Sequence, residues 1–241
     1  MSNNTVIFSD FDGTVTKVDV GNLIFRTFAG DAIFPIIQSW KKNEISSKEL
    51  LNRECELINL NNIDELLALV DKQEIDDYFI QFADFCYEKR IDIFILSDGM
   101  DIYIDRILNR YKLNYIPFFA NKFGFKVENN KVILQPEFPH TDSECLKCGN
   151  CKRNHLLYNS FDDDLIVYIG DGYSDRCPVE YADVVFAKRE LASYCTSAKI
   201  PFIEFTNFND VIKKVEVIAG RKRNKKRRQA ELKRNEVFIQ G

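Results

Sequence analysis

Three short apolar runs along this chain each break into a polar cluster. Val6-Ile7-Phe8 empties into Asp10-Phe11-Asp12-Gly13-Thr14, Ile91-Asp92-Ile93-Phe94-Ile95-Leu96 into Ser97-Asp98-Gly99, and Leu165-Ile166-Val167-Tyr168-Ile169 into Gly170-Asp171-Gly172. β-Branched and aromatic residues dominate the runs, as in central strands covered on both faces. In a doubly wound parallel sheet the carboxyl ends of the strands line one crevice, so the three clusters are expected to converge there.

Between the first and second runs the pattern turns helical. Val20, Leu23, Ile24 and Phe28, then Ile33, Phe34, Ile36, Ile37 and Trp40, recur at helix-like spacing, with Gly30 and Pro35 as breaks. Ser46 with Glu49 reads as a capping box opening a helix through Leu50, Leu51 and Leu57. Further helices are expected over 63–70 and 75–89. The block is too long for a single crossover helix and reads as an inserted helical cap. Beyond it, a helix is expected from Met100 to Tyr111, strand-like Tyr115-Ile116-Pro117-Phe118-Phe119 next, and a hairpin around Glu128-Asn129-Asn130-Lys131. Short strands at 183–186 and 201–204 alternate with helices after Lys152, Ser174, Lys188 and Phe208. This alternation predicts a three-layer α/β fold with a Rossmann-like parallel sheet. Residues 1–16 and 86–219 form its core, 17–85 the helical cap and 220–241 a tail.

With 241 residues the chain can bury one good core and carry a second small domain. No uninterrupted apolar stretch approaches the ~20 residues that span a bilayer, and the N-terminus lacks the form of a secretory signal. A cytoplasmic protein with no membrane partner is the expectation. The seven cysteines read as thiols or metal ligands and not as a disulfide framework. Charge is uneven: the total is −4, yet residues 221–241 hold nine Lys or Arg against two Glu, so the preceding 220 residues carry −11. The tail has little aromatic interleaving and no nucleic-acid motif, and reads as a solvated, partly helical terminus that activity does not need.

Two carboxylates two residues apart at a strand end, Asp10 and Asp12, would point the same way in an extended chain. Crowded carboxylates repel unless a cation or a proton lies between them, and a divalent metal is the natural resolution. Each feature has an ordinary reading as well: Asp10 and Asp12 as a turn, Ser97 as a helix cap, Lys152 as a solvated lysine, Asp171 and Asp175 as a helix start. Their order along the chain, each at a strand end, favours chemistry.

With these residues in view the chain resembles the haloacid dehalogenase superfamily. Asp10-Phe11-Asp12-Gly13-Thr14-Val15-Thr16 matches its first motif, Ser97 its second, Lys152 its third and Gly170-Asp171-Gly172-Tyr173-Ser174-Asp175 its fourth. Ser97-Asp98-Gly99-Met100-Asp101 and Cys148-Gly149-Asn150-Cys151-Lys152 look most like the phosphoserine-phosphatase-type subgroup, which includes the 2-hydroxy-3-keto-5-methylthiopentenyl-1-phosphate phosphatases of methionine salvage. The resemblance implies a phosphomonoesterase acting on a small phosphorylated metabolite. Asp10 would be the nucleophile that forms an aspartyl-phosphate and Asp12 the proton shuttle. Mg²⁺ would be held by the Asp10 carboxylate, the Asp12 carbonyl and Asp171, with Asp175 in support. Gly13, Ser97, Asp98, Gly99 and Lys152 would cradle the phosphate. Asp19 and Arg53 occupy the positions where the subgroup carries an acid and a base for substrate. Alternatives within the same reading are a phosphoserine, phosphoethanolamine or phosphocholine phosphatase. A phosphotransferase and a non-catalytic binding module are the other classes.

Cys145, Cys148 and Cys151, spaced Cys-x-x-Cys-x-x-Cys between His140 and His155 and followed by Cys177, raise a second expectation. Four such ligands would make a structural Zn²⁺ site.

Overall fold

The computed structural model describes residues 4–142, 147–221 and 224–240. In chain order its elements are β1 (Thr5–Asp10), α1 (Val20–Ala29), α2 (Phe34–Lys41), α3 (Ser47–Leu57), α4 (Ile63–Val70), α5 (Phe79–Lys89), β2 (Asp92–Met100) and α6 (Asp101–Arg110). There follow β3 (Phe118–Glu128), β4 (Lys131–Glu137), α7 (Lys152–Tyr158), β5 (Leu165–Gly170), β6 (Val184–Ala187), α8 (Arg189–Ser197), β7 (Ile203–Glu204), α9 (Phe208–Ala219) and α10 (Arg228–Gln240). Seven strands make one sheet in the order β4-β3-β2-β1-β5-β6-β7, so the α/β class read from the sequence holds. β1 pairs in parallel with both β2 and β5, β5 with β6, and β6 with β7, while β3 and β4 form the antiparallel hairpin.

Local chemistry explains most boundaries. Ser46 Oγ accepts the Glu49 N–H at 3.2 Å to open α3, as its sequence signature requires. Asn129 and Asn130 take φ of 50° and 58°, the two left-handed residues that a tight primed hairpin turn demands. Several elements differ from the sequence expectation, and the strand expected from Tyr115 begins only at Phe118. The helix expected from Ile75 starts at Phe79, because the Asp76 carboxylate accepts the N–H groups of Tyr78 and Phe208 and holds an Asx turn in its place. The helix expected after Ser174 is two short 3-10 turns, Tyr173–Arg176 and Pro178–Glu180, since Pro178 brings no N–H to continue one into the other. β2 does not end at Leu96 but runs on through Ser97, Asp98 and Gly99 to Met100.

The chain divides into two compact units. One comprises residues 1–15, 75–96 and 152–241, the other residues 16–74 and 97–151, so the segment 97–151, read from the sequence with the core, groups with the helical insert. In the first unit, Phe79 and Phe82 of α5 pack on Phe208 with ring centroids 4.8 and 4.9 Å apart, and Phe205 and Phe186 extend the cluster to β6. Such aromatic packing adds to the area burial that holds a helix layer on a sheet. In the second unit, a bridge between Leu60 and Val132 and a two-pronged Arg106–Asp71 ion pair, at 2.6 and 2.7 Å, fasten helices to one another and to the hairpin.

Val20–Lys41 is long and apolar enough, with a mean hydropathy of 1.3, to cross a membrane by length and composition alone, a stretch the sequence expectation did not recognise. The 3-10 turn at Gly30–Ile33 interrupts it, Arg26 and Asp31 lie within it, and Val20, Ile24, Phe25 and Ile33 are buried inside its unit.

The basic tail is not merely solvated. Arg227 donates to the carbonyls of Val179 and Glu180 at 2.6 and 2.7 Å, and its backbone N–H reaches Asp183 at 3.1 Å. Arg234, buried on α10, donates to Asp183 at 3.1 Å and to the Tyr181 carbonyl at 2.5 Å. Asp183 also accepts the Ile166 N–H, so the tail is tied to the start of β5. An Arg234→Ala protein should lose about 2 kcal/mol of stability, measured by urea unfolding, because a fully buried carboxylate then keeps only backbone donors.

Candidate active site

Strand register sets the site in the first unit. Asp10, the last residue of β1, lies opposite Leu96 of β2, and Ser9 opposite Ile169 of β5, so Gly170 and Asp171 emerge beside Asp10. Gly170 in turn pairs with Ala187, which brings Lys188 and Arg189 to the same end of the sheet. Leu191 and Lys188 donate their N–H groups to the Asp171 and Gly170 carbonyls at 2.9 and 3.2 Å, fixing that approach.

At the centre is Lys152, the first residue of α7 and 2 % exposed. Its ammonium lies 2.5 Å from Asp10 Oδ1, 2.7 Å from Asp175 Oδ1 and 3.1 Å from Ser174 Oγ. Asp175 is fully buried and saturated: Oδ1 takes Lys152 and the Tyr168 hydroxyl at 2.6 Å, and Oδ2 takes the N–H groups of Asp171 and Gly172, each at 3.0 Å. Gly170 has no alternative, since a Cβ there would stand 2.5 Å from Asp175 Oδ2. Asp171 accepts Thr14 Oγ1 at 3.3 Å on one oxygen and Arg189 at 2.8 Å on the other.

Asp12 sits half-buried in the turn after β1, not on the strand. Its nearness to Asp10 therefore comes from that turn, in which Thr14 and Val15 donate to the Phe11 carbonyl at 3.2 and 2.9 Å, and not from strand alternation. Gly13 takes φ +74°, and a Cβ on it would lie 2.6 Å from Asp171 Oδ2 and 2.8 Å from Arg189.

Burial holds the Asp10 carboxyl well above the usual carboxylate range, and Asp175 pushes the same way against the pull of Lys152. Asp171 is raised by burial and by Asp175, with Arg189 opposing. One buried ammonium thus faces a larger number of carboxylates. Oxygens of Asp10, Asp171 and Asp175 lie within 4.8 Å of one another, and hard oxygen donors at that spacing fit a divalent cation.

The second unit holds the other sequence-predicted residues. Ser97 is buried, and its Oγ accepts the Gly99 N–H at 2.9 Å. Asp98 accepts the Asn150 N–H at 3.3 Å. Asp19 caps α1 by accepting the Asn22 N–H at 2.8 Å, and Arg53 pairs with Glu49 one turn earlier on α3. Next to Arg53, Glu54 is 6 % exposed, and burial together with Asp19 pushes its carboxyl up to about 8.

The zinc expectation is not supported. Cys145 lies outside the described residues; among those described, Asp10, Asp171 and Asp175 make the only cluster able to hold a metal ion. Cys148 is half-buried and Cys151 buried. Cys151 sits where the chain enters α7, with its N–H on the His140 carbonyl, and the His140 ring packs edge-on against Phe119. Sequence reasoning gave no site role to Thr14, Tyr168, Ser174 or Arg189. Thr14 and Ser174 lie inside the quoted motifs, whereas Tyr168 is hidden in an apolar run and Arg189 is placed only by the β5–β6 register.

Comparison with known proteins gives a consistent picture. The family model described as Putative Phosphatase matches residues 5–200. A 2-hydroxy-3-keto-5-methylthiopentenyl-1-phosphate phosphatase of Bacillus mycoides (strain KBAB4) is 31 % identical over 212 residues, 86 % of this chain and 93 % of the relative. One of the same name from Brevibacillus brevis is 28 % identical, over 88 % of this chain and 96 % of the relative. Among solved structures, a phospho-aspartyl intermediate analogue of phosphoserine phosphatase superposes with a TM-score of 0.65 at 17 % identity, covering 88 % of this chain and 99 % of that one. A substrate-bound phosphoserine phosphatase gives 0.64 at 16 %, covering 89 % and 99 %. These two likenesses establish the fold, that of the haloacid dehalogenase phosphatases.

Gly13→Ala should lower phosphate release from small phosphomonoesters by about 10²-fold, with the fold intact by circular dichroism, because the added methyl displaces Asp171 by a large fraction of an ångström.

Proposed function

The chain belongs to the Putative Phosphatase family, and on that premise we propose that it is a Mg²⁺-dependent phosphomonoesterase working through an aspartyl-phosphate. The observation that carries this reading is Lys152 bridging Asp10 and Asp175 at a buried strand end beside Asp171. Lys152 engages Asp10 Oδ1, which leaves Oδ2 to attack phosphorus in line with the leaving oxygen. As the ester P–O bond breaks, Asp12 gives its proton to the departing alkoxide. Asp12 then takes a proton from water, which attacks phosphorus, frees phosphate and restores Asp10. Bound Mg²⁺ would neutralise charge on the phosphoryl oxygens, held by Asp10, the Asp12 carbonyl and Asp171. Asp175 supports this set by orienting Lys152 and the Asp171 and Gly172 amides. In the first unit Gly13 and Lys152 are the residues to bind phosphate, and in the second Ser97, Asp98 and Gly99, with the Ser97 hydroxyl as donor.

The substrate is a small phosphate ester from the cytoplasm, and the helical insert of the second unit, residues 17–74 of the expected cap, selects it through Asp19 and Arg53. The names of the relatives support the methionine-salvage enol phosphate. A second reading has its own observation: Glu54 buried beside Asp19 is a pair of carboxyls that an ammonium would relieve, favouring phosphoserine or phosphoethanolamine.

Phosphate release should disappear in Asp10→Asn and after chelation of the metal; activity surviving either change would overturn the mechanism. A panel of phosphoserine, phosphoethanolamine, phosphocholine and the enol phosphate separates the two substrate readings by kcat/KM. Arg53→Ala should raise KM on the best of them several-fold, and an unchanged KM would remove Arg53 from the specificity pair.

A further inference from the structure

Asn150 has no part in the chemistry described so far, yet it is completely buried two residues before Lys152. Its carboxamide nitrogen donates to the Ser97 carbonyl at 2.8 Å and to the Phe119 carbonyl at 2.9 Å. Its backbone N–H reaches the Asp98 carboxylate at 3.3 Å. Asn121 adds a fourth tie from β3, its Nδ2 donating to the Asp98 carbonyl at 2.7 Å. The carbonyls of Ser97 and Asp98, two consecutive residues, are thus taken by side-chain amides.

This arrangement carries an energetic penalty. Asn121 Oδ1 is buried without a hydrogen-bond partner among the described residues. An orphaned buried acceptor costs more than one ordinary hydrogen bond returns. Packing alone does not require that penalty, since apolar side chains of similar size would fill the same space. What the amides supply is a fixed orientation for the Ser97–Gly99 backbone, and with it for the Ser97 hydroxyl, which is already held by the Gly99 N–H at 2.9 Å. Gly149 allows the close fit, because a Cβ there would meet Asn121 at 3.2 Å and Phe138 at 3.3 Å.

We propose that Asn150 is a positioning residue for the phosphate cradle, setting the Ser97 hydroxyl through the Ser97 and Phe119 carbonyls. The proposal rests on the reading of Ser97 as a phosphate donor. It gives Asn150 a part in phosphate binding exerted through Ser97.

A double-mutant cycle on the full-length, Mg²⁺-loaded protein tests it, with binding of inorganic phosphate measured by calorimetry and KM and kcat measured alongside. Asn150→Ala should weaken phosphate binding about tenfold in the native background and less than twofold when Ser97 is already Ala. A merely structural role would give the same factor in both backgrounds, and that result overturns the proposal. If Ser97→Ala by itself leaves phosphate binding unchanged, the reading of Ser97 fails first and the positioning role falls with it. Should Asn150→Ala not fold, Asn150→Ser, which keeps one short donor, carries the same cycle with a smaller factor and the same requirement of non-additivity.

Discussion

The structure turns on one buried ammonium. Lys152 opens α7, where the positive end of a helix dipole disfavours a cation by some tenths of a kcal/mol. Two carboxylates within 2.7 Å reverse that preference many times over, since charge pairs withdrawn from water interact far more strongly than a dipole end. The pair of ion contacts joins three distant stretches of chain: the end of β1, the start of α7 and the turn after β5. With the ammonium gone, Asp10 and Asp175 would confront each other in a dry site with no compensating charge. The geometry of the acidic cluster and the joining of these three stretches therefore rest on the same contact.

Around that contact the acids have separate tasks. Asp175 has its acceptor capacity committed to Lys152, Tyr168 and two backbone amides, and so organises its neighbours. Asp10 keeps an oxygen clear of Lys152. Asp171 is steadied by Thr14 and Arg189 at the rim. Residue types alone did not separate these tasks, because a free Asp is a free Asp in a sequence; the donors around each one distinguish them.

The parts legible in the sequence were those set by periodicity and turn chemistry: the central strands, the Ser46 cap, the Asn129-Asn130 hairpin and the order of acidic strand ends. What escaped depended on partners far away in sequence. Tyr168 looked like one more apolar strand residue, and only the fold shows its hydroxyl on Asp175. Arg189 reaches Asp171 because β6 pairs with β5, which no local pattern reveals. The basic tail looked solvated since its nine cations outnumber the two acids among them, yet Asp183 lies 51 positions from Arg234 and holds it. The cysteine spacing suggested zinc, while the metal-competent cluster among the described residues is made of aspartates.

The unit that carries Asp10, Lys152 and Asp171 is assembled from the first fifteen residues, a middle segment and everything from Lys152 onward. Loop closure over such separations must be met before its contacts reward it, so this unit has little to gain from folding early. β1 is synthesised well before its partner β5, and α10, whose Arg234 secures Asp183, later still. Asp10 is therefore made 142 residues ahead of the lysine that fixes it, and its surroundings are complete only when the later strands and helices have joined it.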